Sequence, residues 1–277
     1  MKVIAPLTGH AHVVGLTGSP GVGKSTVTGA LVRAYRDKGQ RVAVLAVDPS
    51  SPFSGGALLG DRVRMQDHAT DERVFIRSMA SRGHLGGLSW ATPQAVRILV
   101  AAGFDIVLIE TVGVGQAEIE IASLADSAVV VVAPGLGDSI QAAKAGILEI
   151  ADVFVVNKSD RPGAQEVIRD LRMMLAMATY GSDGWKPPIV STTAATGEGI
   201  ADLAAAIDKH RDWLGGNGQL EERRLARAQE EISAIAIGEL RQRVGGLPGE
   251  SRLAELAERV VAGDLDPYSA ADELISG

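Results

Sequence analysis

Residues 18–25 read GSPGVGKS and directly follow a short apolar run near the start of the chain. The backbone of such a loop can curl round a phosphate with its N–H groups pointing inward, because Gly18, Gly21 and Gly23 carry no obstructing side chains. In this pattern Lys24 reaches the β and γ phosphates of a nucleotide and Ser25 binds Mg²⁺, while the helix that follows presents its positive end. The remaining candidate residues of this phosphate loop are Ser19, Pro20, Val22 and Thr26.

A dinucleotide-binding turn is the competing interpretation, since Asp48 closes the second apolar run, where a ribose-binding acid would lie. The order of the glycines argues against it. They run G-x-x-G-x-G and end in Lys-Ser, whereas the dinucleotide pattern is G-x-G-x-x-G. We therefore favour a P-loop.

A P-loop enzyme also needs a carboxylate at the end of a nearby strand, which holds Mg²⁺ directly or through water. Glu110 ranks first, because it ends the apolar run IVLIE and precedes TVGVGQ, in which Gly113 is the candidate phosphate-sensing glycine. Asp48 ends the run VLAVD, and Asp61 lies in GDRVRM, beyond a stretch rich in serine, proline and glycine. Each acid has the alternative role of a helix cap or loop carboxylate. The candidate catalytic residues are thus Lys24, Asp48, Asp61 and Glu110.

Residues 157–160 read NKSD and follow another apolar run, an arrangement that selects guanine. The Asp160 carboxylate can accept two hydrogen bonds from guanine, whereas adenine offers no matching pair of donors. Asn157 belongs to the same motif, and the Lys158 stem would lie over the base. Thr193 and Ala194 follow the next run, where a backbone N–H can meet the guanine oxygen. An ordinary turn is the alternative, but the position after a P-loop favours GTP and GDP as ligands.

Buried-looking apolar runs alternate with stretches of helical period, which predicts an α/β fold with a parallel sheet covered on both faces. The predicted strands are residues 13–16, 41–47, 74–78, 106–109, 128–133, 153–156 and 189–191. Residues 1–214 would form this P-loop domain. The run GGNGQ then reads as a flexible linker, and residues 215–277 as a helical unit whose first helix spans about residues 220–244.

The composition narrows the function further. The chain has 277 residues, a net charge of −7 and no cysteine, so disulfides and thiolate metal sites are excluded. A negative net charge disfavours binding to the phosphates of a nucleic acid, so we expect no nucleic acid partner. His10 and His12 could in principle bind a metal ion, but this role has little support. No apolar run approaches the length of a membrane helix, so we expect the protein not to associate with a membrane and to be located in the cytoplasm.

Five long motifs together resemble the methylmalonyl-CoA mutase-associated GTPases of the MeaB type, and the resemblance spans nearly the whole chain. These motifs are GSPGVGKST, VDPSSPFSGGALLGDRVRM, ETVGVGQAE, GDSIQAAKAGILEIADVFVVNKSD and GDLDPYSAADEL. The resemblance implies a SIMIBI-class GTPase that forms a homodimer through a C-terminal helical arm. It further implies a chaperone of an adenosylcobalamin-dependent acyl-CoA mutase, which couples GTP to cofactor loading and to protection of the mutase. The family is also labelled an arginine and ornithine transport kinase.

The matching motifs also assign residues. By resemblance, the phosphate and Mg²⁺ residues are Lys24 and Ser25 with the acids Asp48, Asp61 and Glu110, and the guanine residues are Asn157, Lys158 and Asp160. Residues 135–146 resemble a third, partner-sensing switch, whose polar candidates are Asp138, Gln141 and Lys144. An ordinary loop and amphipathic helix is the alternative for this stretch.

Hydrolysis needs stabilisation of charge on the γ phosphate, often by an arginine finger, and the sequence identifies none. No glutamine directly follows Gly113, since Gln116 comes three residues later. We therefore expect a GTPase that is slow alone and activated by a partner. Two alternatives stay open: a metal-insertion GTPase for a nickel or cobalt enzyme, which the lack of cysteine disfavours, and an ATP-dependent small-molecule kinase.

Overall fold

Seven parallel strands form one sheet. In the computed structural model, the described residues are 10–48, 70–80, 91–111, 121, 123–135, 150–178, 181, 184–245 and 247–276. The strands are β1 His12–Thr17, β2 Val42–Asp48, β3 Val74–Ala80, β4 Ile106–Thr111, β5 Ser127–Val132, β6 Val153–Asn157 and β7 Ile189–Thr192. Their order across the sheet is β3-β2-β4-β1-β5-β6-β7. All seven predicted strands are confirmed, with ends that differ by at most two residues.

The strand sequences explain why the sheet is parallel and central. In β1, β4, β5 and β6 every residue is buried, so these strands show apolar runs rather than alternation. Such runs are typical of strands that are covered on both faces, since side chains on either face are removed from water. The α/β fold with a covered parallel sheet is confirmed.

Helices cover both faces of this sheet. The helices of the described residues are α1 Lys24–Asp37, α2 Thr92–Ala101, α3 Ala164–Met177, α4 Ile200–Gly216, α5 Gln219–Gly245, α6 Leu247–Ala262 and α7 Pro267–Ser276. Of these, α1 to α4 pack against the sheet. On one face α1 and α4 share a core with strand residues such as Val129 and Val131. On the other face α3 packs against Val130 and Val132, and α2 packs against residues of β1, β2 and β4. In the described part of the chain, no helix has both the length and the apolar character to cross a bilayer.

The strand order determines where a ligand can bind. β1 lies between β4 and β5, and Gly15 is in register with Ile109 on one side and Ala128 on the other. The chain therefore leaves β1 for β2 on one side of the sheet, and reaches β5, β6 and β7 on the other. Ligands of open α/β sheets bind at such a switch point, outside the carboxyl ends of the strands. This position is where the phosphate loop leaves β1.

The chain divides into two compact units, Met1–Arg223 and Arg224–Gly277. The prediction of a flexible linker at GGNGQ is wrong, because Gly215 and Gly216 end α4 and α5 already begins at Gln219. Gly218 makes this tight turn with φ of 72°. The predicted long helix at residues 220–244 is confirmed as α5, and two shorter helices follow it.

Gly199 directly precedes α4, and a substitution there can test how closely the chain approaches β7. Its φ is 74°, and an added Cβ would overlap the carbonyl oxygen of Ser191 on β7. Gly197 has a φ of 84° but open space around its Cα. Both Gly→Ala changes share a backbone penalty of roughly 1–2 kcal/mol. We expect Gly199→Ala to lower the free energy of unfolding by about 1–3 kcal/mol more than Gly197→Ala, because only it creates a clash. Equal urea midpoints for the two variants would contradict this close approach.

Candidate functional site

Four segments meet at the carboxyl edge of the sheet. The loop after β1 contains the predicted P-loop, β4 ends beside it with Glu110, and β6 ends with Asn157. The segment after β7 adds Thr193 and Ala194, which are both buried. The structure therefore brings the predicted phosphate residues and the predicted base residues to one edge, although they are far apart in sequence.

Glycine conformations shape the loop at residues 18–23. Gly18, Gly21 and Gly23 have φ of 136°, 83° and 95°, values that side chains oppose. A Cβ on Gly18 would also overlap the carbonyl oxygen of Val131 on β5. Gly23 directly precedes α1, so the chain turns sharply into the helix there. The backbone at these three positions therefore requires glycine, as the sequence predicted.

The Lys24 side chain folds back over this loop. Lys24 is buried, and its Nζ donates to the carbonyl oxygens of Gly18, at 2.6 Å, and Ser19, at 3.2 Å. The ammonium group is therefore held at the loop, next to the N-terminus of α1. A lysine held here can bind phosphate oxygens as a point charge.

Ser25 and Glu110 form a direct pair. The Ser25 Oγ donates to Oε1 of Glu110 at 2.6 Å, and only 2% of Glu110 is exposed. The pair joins the first turn of α1 to the end of β4. A hydroxyl and a carboxylate are hard oxygen ligands of the kind that Mg²⁺ takes, together with phosphate oxygens. The donor set therefore fits the predicted Mg²⁺ site, and Ser25 and Glu110 would hold the ion.

The other predicted metal and phosphate residues are only partly described. Asp48 is the last residue of β2, and its backbone lies in register with Ala80 at the same edge of the sheet. Asp61 and Gly113 lie outside the described residues, as do the switch candidates Asp138, Gln141 and Lys144. Within the described ranges, no group of three or more His, Asp or Glu side chains could hold a metal ion.

Asn157 connects the base motif to the phosphate loop. Its Nδ2 donates to the Val22 carbonyl oxygen at 2.8 Å, and its Oδ1 accepts from the Ala194 N–H at 3.1 Å and the Thr192 hydroxyl at 3.2 Å. The side chain is buried, and a Cβ on Gly23 would lie 2.5 Å from its Nδ2. Asn157 thus fixes the positions of two loops. Its predicted contact with guanine stays a prediction.

Lys158 makes a second link between these segments. Its Nζ donates to the Gly21 carbonyl oxygen at 2.6 Å. The backbone φ of 56° is positive, which is uncommon for a residue other than glycine and directs the side chain back towards the loop. Asp160 follows with an exposed carboxylate, so a base can reach it. This arrangement is compatible with a base that lies between the Lys158 stem and Asp160.

The predicted backbone donors after β7 already have protein partners. The Thr193 N–H donates to the Glu198 carbonyl oxygen at 3.0 Å, and the Ala194 N–H donates to Asn157. A guanine contact from either group would need a change of partner, so this assignment stays a prediction. The Thr193 hydroxyl lies 3.2 Å from the Ser159 hydroxyl, which ties the segment to the base motif.

Sequence patterns did not reveal the role of two residues in this site. Val22 contributes its carbonyl oxygen to Asn157, and Thr192 contributes its hydroxyl. The first bond joins residues 135 positions apart, and a backbone carbonyl leaves no trace in the residue type. Only the register of β6 with β7, which pairs Asn157 with Thr192, could have indicated the second contact.

Asn157→Ala tests whether this link matters for nucleotide binding. The change removes three hydrogen bonds and leaves buried partners unsatisfied, so we expect a loss of stability of about 1–3 kcal/mol. GDP affinity should also fall at least about tenfold, because the loop is no longer held in its binding shape. Thr192→Val, which removes only one of the bonds, is the matched control. If the Asn157→Ala protein were less stable but bound GDP normally, the hydrogen bonds of Asn157 would contribute to stability and not to nucleotide binding.

Comparisons with known proteins identify the relatives of this chain. The family model of the methylmalonyl-CoA mutase-associated GTPase MeaB matches residues 1–248. A Pyrococcus horikoshii protein named as a GTPase is 50% identical over 274 residues, which make up 98% of this chain and 86% of that protein. The mitochondrial methylmalonic aciduria type A homolog of Mus musculus is 35% identical over 266 residues, or 95% of this chain and 64% of that protein.

A solved structure shows the same architecture. The crystal structure of an LAO/AO transport system kinase superposes with a TM-score of 0.72 at 27% identity, and the match covers 99% of this chain and 83% of that one. The matched family region contains the phosphate loop, Glu110 and the base motif. These findings confirm the family that the sequence motifs indicated. The chain therefore belongs to the family of methylmalonyl-CoA mutase-associated GTPases, MeaB.

Proposed function

We propose that this protein binds and hydrolyses GTP with Mg²⁺ and acts as a chaperone of an adenosylcobalamin-dependent acyl-CoA mutase. GTP hydrolysis would be coupled to loading of the mutase cofactor and to protection of the mutase. The observation that carries the GTPase part is the connection of the phosphate loop to the base motif. Asn157 and Lys158 both bond to carbonyl oxygens of that loop, so the two predicted halves of a guanine-nucleotide site form one structure.

The residues of the site have distinct roles in this proposal. Asp160 selects guanine through the carboxylate that accepts two hydrogen bonds from the base. Lys24 binds the β and γ phosphates, and the N-terminus of α1 contributes its N–H groups to the same anion. Ser25 and Glu110 hold Mg²⁺, with Asp48 and Asp61 as further candidates. When bound, Mg²⁺ neutralises charge that develops on the phosphate oxygens.

The step from GTPase to mutase chaperone depends on the family. Its model is named for association with methylmalonyl-CoA mutase, and the mouse relative is named for methylmalonic aciduria. A regulated GTPase can leave part of its catalytic machinery to a partner, which makes its own turnover slow. We infer that the mutase is this partner and that it completes the site.

GTP turnover with and without a mutase tests the proposal. We expect the purified protein to hydrolyse GTP slowly, and an adenosylcobalamin-dependent acyl-CoA mutase from the same organism to accelerate turnover at least about tenfold by ordering the site. Asp160→Asn is the matched control. Its amide can donate to the 2-oxygen of xanthine, so stimulation should be lost with GTP and restored with XTP.

Different outcomes separate the parts of the proposal. ATP turnover that exceeds GTP turnover would exclude the guanine-nucleotide assignment. GTP turnover that the mutase leaves unchanged would exclude the mutase as the activating partner and make metal insertion the next function to test. Unaltered selectivity of Asp160→Asn would show that Asp160 does not contact the base.

The C-terminal unit supports a second proposal, a homodimer formed through residues 215–277. Leu225 and Ile232 are 62% and 67% exposed in the single chain, and they lie seven residues apart on α5, on one face of the helix. Ile237, Leu253 and Val261 are also exposed. An exposed row of large apolar side chains is typical of an association surface. We infer that a second copy of this chain covers it.

Sedimentation velocity tests the dimer. We expect the wild-type protein to sediment as a dimer and the double variant Leu225→Glu/Ile232→Glu as a monomer, because burying two carboxylates in an apolar interface is unfavourable. Met177→Glu is the control, since Met177 is an exposed apolar residue on α3 of the other unit. A wild-type monomer at micromolar concentration would exclude the proposal.

A further inference from the structure

A buried chain of polar side chains lies at the amino edge of the sheet, opposite the nucleotide site. His12 and Ser127 are the first residues of β1 and β5, and Asp152 directly precedes β6. All three are buried, and Ser127 is fully so. Buried polar groups are costly unless their partners satisfy them, so their geometry indicates what they hold together.

Ser127 lies between two histidines. Its Oγ is 2.9 Å from Nε2 of His12 and 2.6 Å from Nδ1 of His210 on α4. A hydroxyl can both donate and accept, so Ser127 can hydrogen-bond to both rings. The three side chains therefore form a hydrogen-bonded chain between β1, β5 and α4.

His210 continues the chain to a carboxylate. His210 is fully buried, and its Nε2 lies 3.2 Å from Oδ1 of Asp152. The rings of Trp185 and Trp213 pack beside it, with centroids 4.8 Å and 5.7 Å from the imidazole. The Trp185 Nε1–H also donates to the Asp152 carbonyl oxygen at 2.7 Å. Aromatic walls thus exclude water from this contact.

Arg223 closes the chain from the start of α5. Its two terminal nitrogens donate to Oδ2 and Oδ1 of Asp152, both at 2.9 Å, which is a bidentate pair. One of them also donates to the Asp126 carbonyl oxygen at 3.0 Å. Oδ2 of Asp152 accepts a further bond from the Ala128 N–H at 2.8 Å. The Asp152 carboxylate therefore accepts hydrogen bonds from the sheet, through the Ala128 N–H, and from α5, through Arg223.

The protonation of Asp152 agrees with this arrangement. Burial alone would raise the pKa of Asp152, but the nearby His210 ring and the bidentate hydrogen bonds of Arg223 outweigh burial and lower that pKa below its ordinary value. Stability from a lowered carboxyl pKa is complete above the ordinary value and is lost as the pH falls through the lowered one. His12 and Asp126 are the other titratable groups nearby, with Nδ1 of His12 4.0 Å from Oδ2 of Asp126. The contact thus persists from neutral to mildly acidic pH.

We propose that the buried residues Ser127, Asp152 and His210 form a clamp with the partly exposed Arg223, which fixes the start of α5 to the amino edge of the sheet. Arg223 is the last residue of the compact unit that contains the sheet, and Arg224 begins the helical unit. The clamp therefore holds the point at which the chain enters the helical unit. This inference does not depend on the proposed GTPase function or on the proposed dimer.

A hydrolytic role for the same residues is excluded by their burial. Ser127, His210 and Asp152 follow the order of contacts in a serine hydrolase triad. However, Ser127 and His210 are both 0% exposed, so a substrate cannot reach the Ser127 Oγ. The cluster fits a structural clamp instead, because removal of one charged partner leaves the other buried without compensation.

Hydrogen–deuterium exchange of the full chain tests the clamp. We expect Arg223→Met to accelerate amide exchange in residues 223–230 at least about tenfold, as local opening becomes easier, with little change in α1. Arg172→Met is the matched control, since Arg172 is exposed on α3. GDP affinity should stay unchanged in both variants, because the clamp lies at the other edge of the sheet from the nucleotide site. Exchange at the start of α5 that equals the Arg172→Met control would overturn the proposal.

Two further variants keep the test decisive if Arg223→Met does not fold. Arg223→Lys retains the charge but loses the bidentate fork, so exchange of residues 223–230 should be faster than in the wild type. Asp152→Asn/Arg223→Met removes both charges and leaves no buried carboxylate unpaired, so it should fold and should also exchange faster than the wild type in residues 223–230. In a Trp90→Phe background, the emission of Trp185 and Trp213 should shift with Arg223→Lys and not with Arg172→Lys. Wild-type exchange and emission in Arg223→Lys would refute the clamp.

Discussion

The amide side chain of Asn157 holds the nucleotide edge of the protein together. It donates to the loop after β1 and accepts from the segment after β7, which lie on opposite sides of β5 and β6. Glycines create the curvature of the loop, and the Lys24 ammonium bonds to the carbonyls of Gly18 and Ser19 within it. Bonds from Asn157 and Lys158 to the carbonyls of Val22 and Gly21 add restraint from outside the loop. The Ser25–Glu110 pair adds a third connection on the other side.

The parallel sheet makes these connections possible. The segments of the candidate site lie at the carboxyl ends of β1, β4, β6 and β7. Neighbouring strands are only about 4.8 Å apart, so the side chains at these ends lie close together. The opposite edge uses the same property differently. There, Ser127 at the start of β5 and Asp152 before β6 meet His210 in the clamp, beside the rings of Trp185 and Trp213.

The sequence predicted the fold well because its signals are local. Apolar runs marked all seven strands, and the glycine spacing at residues 18–23 marked a loop whose backbone does need positive φ. The glycines at residues 215–218 were misleading, because a helix can end in glycine without a flexible linker. The links from Asn157 to Val22 and from Arg223 to Asp152 were not predictable, since they join distant residues through partners that no residue pattern specifies.

The central position of β1 has a consequence for folding during synthesis. β1 is made first, but its ladder partners are β4 and β5, with Gly15 in register with Ile109 and Ala128. β2, which emerges next, pairs with β3 and β4 and gives β1 no neighbour. The loop after β1 therefore cannot lie against Val131 on β5 until about the first half of the chain has left the ribosome. Such non-local pairing is slow to form and leaves an apolar strand exposed to nascent-chain chaperones in the meantime.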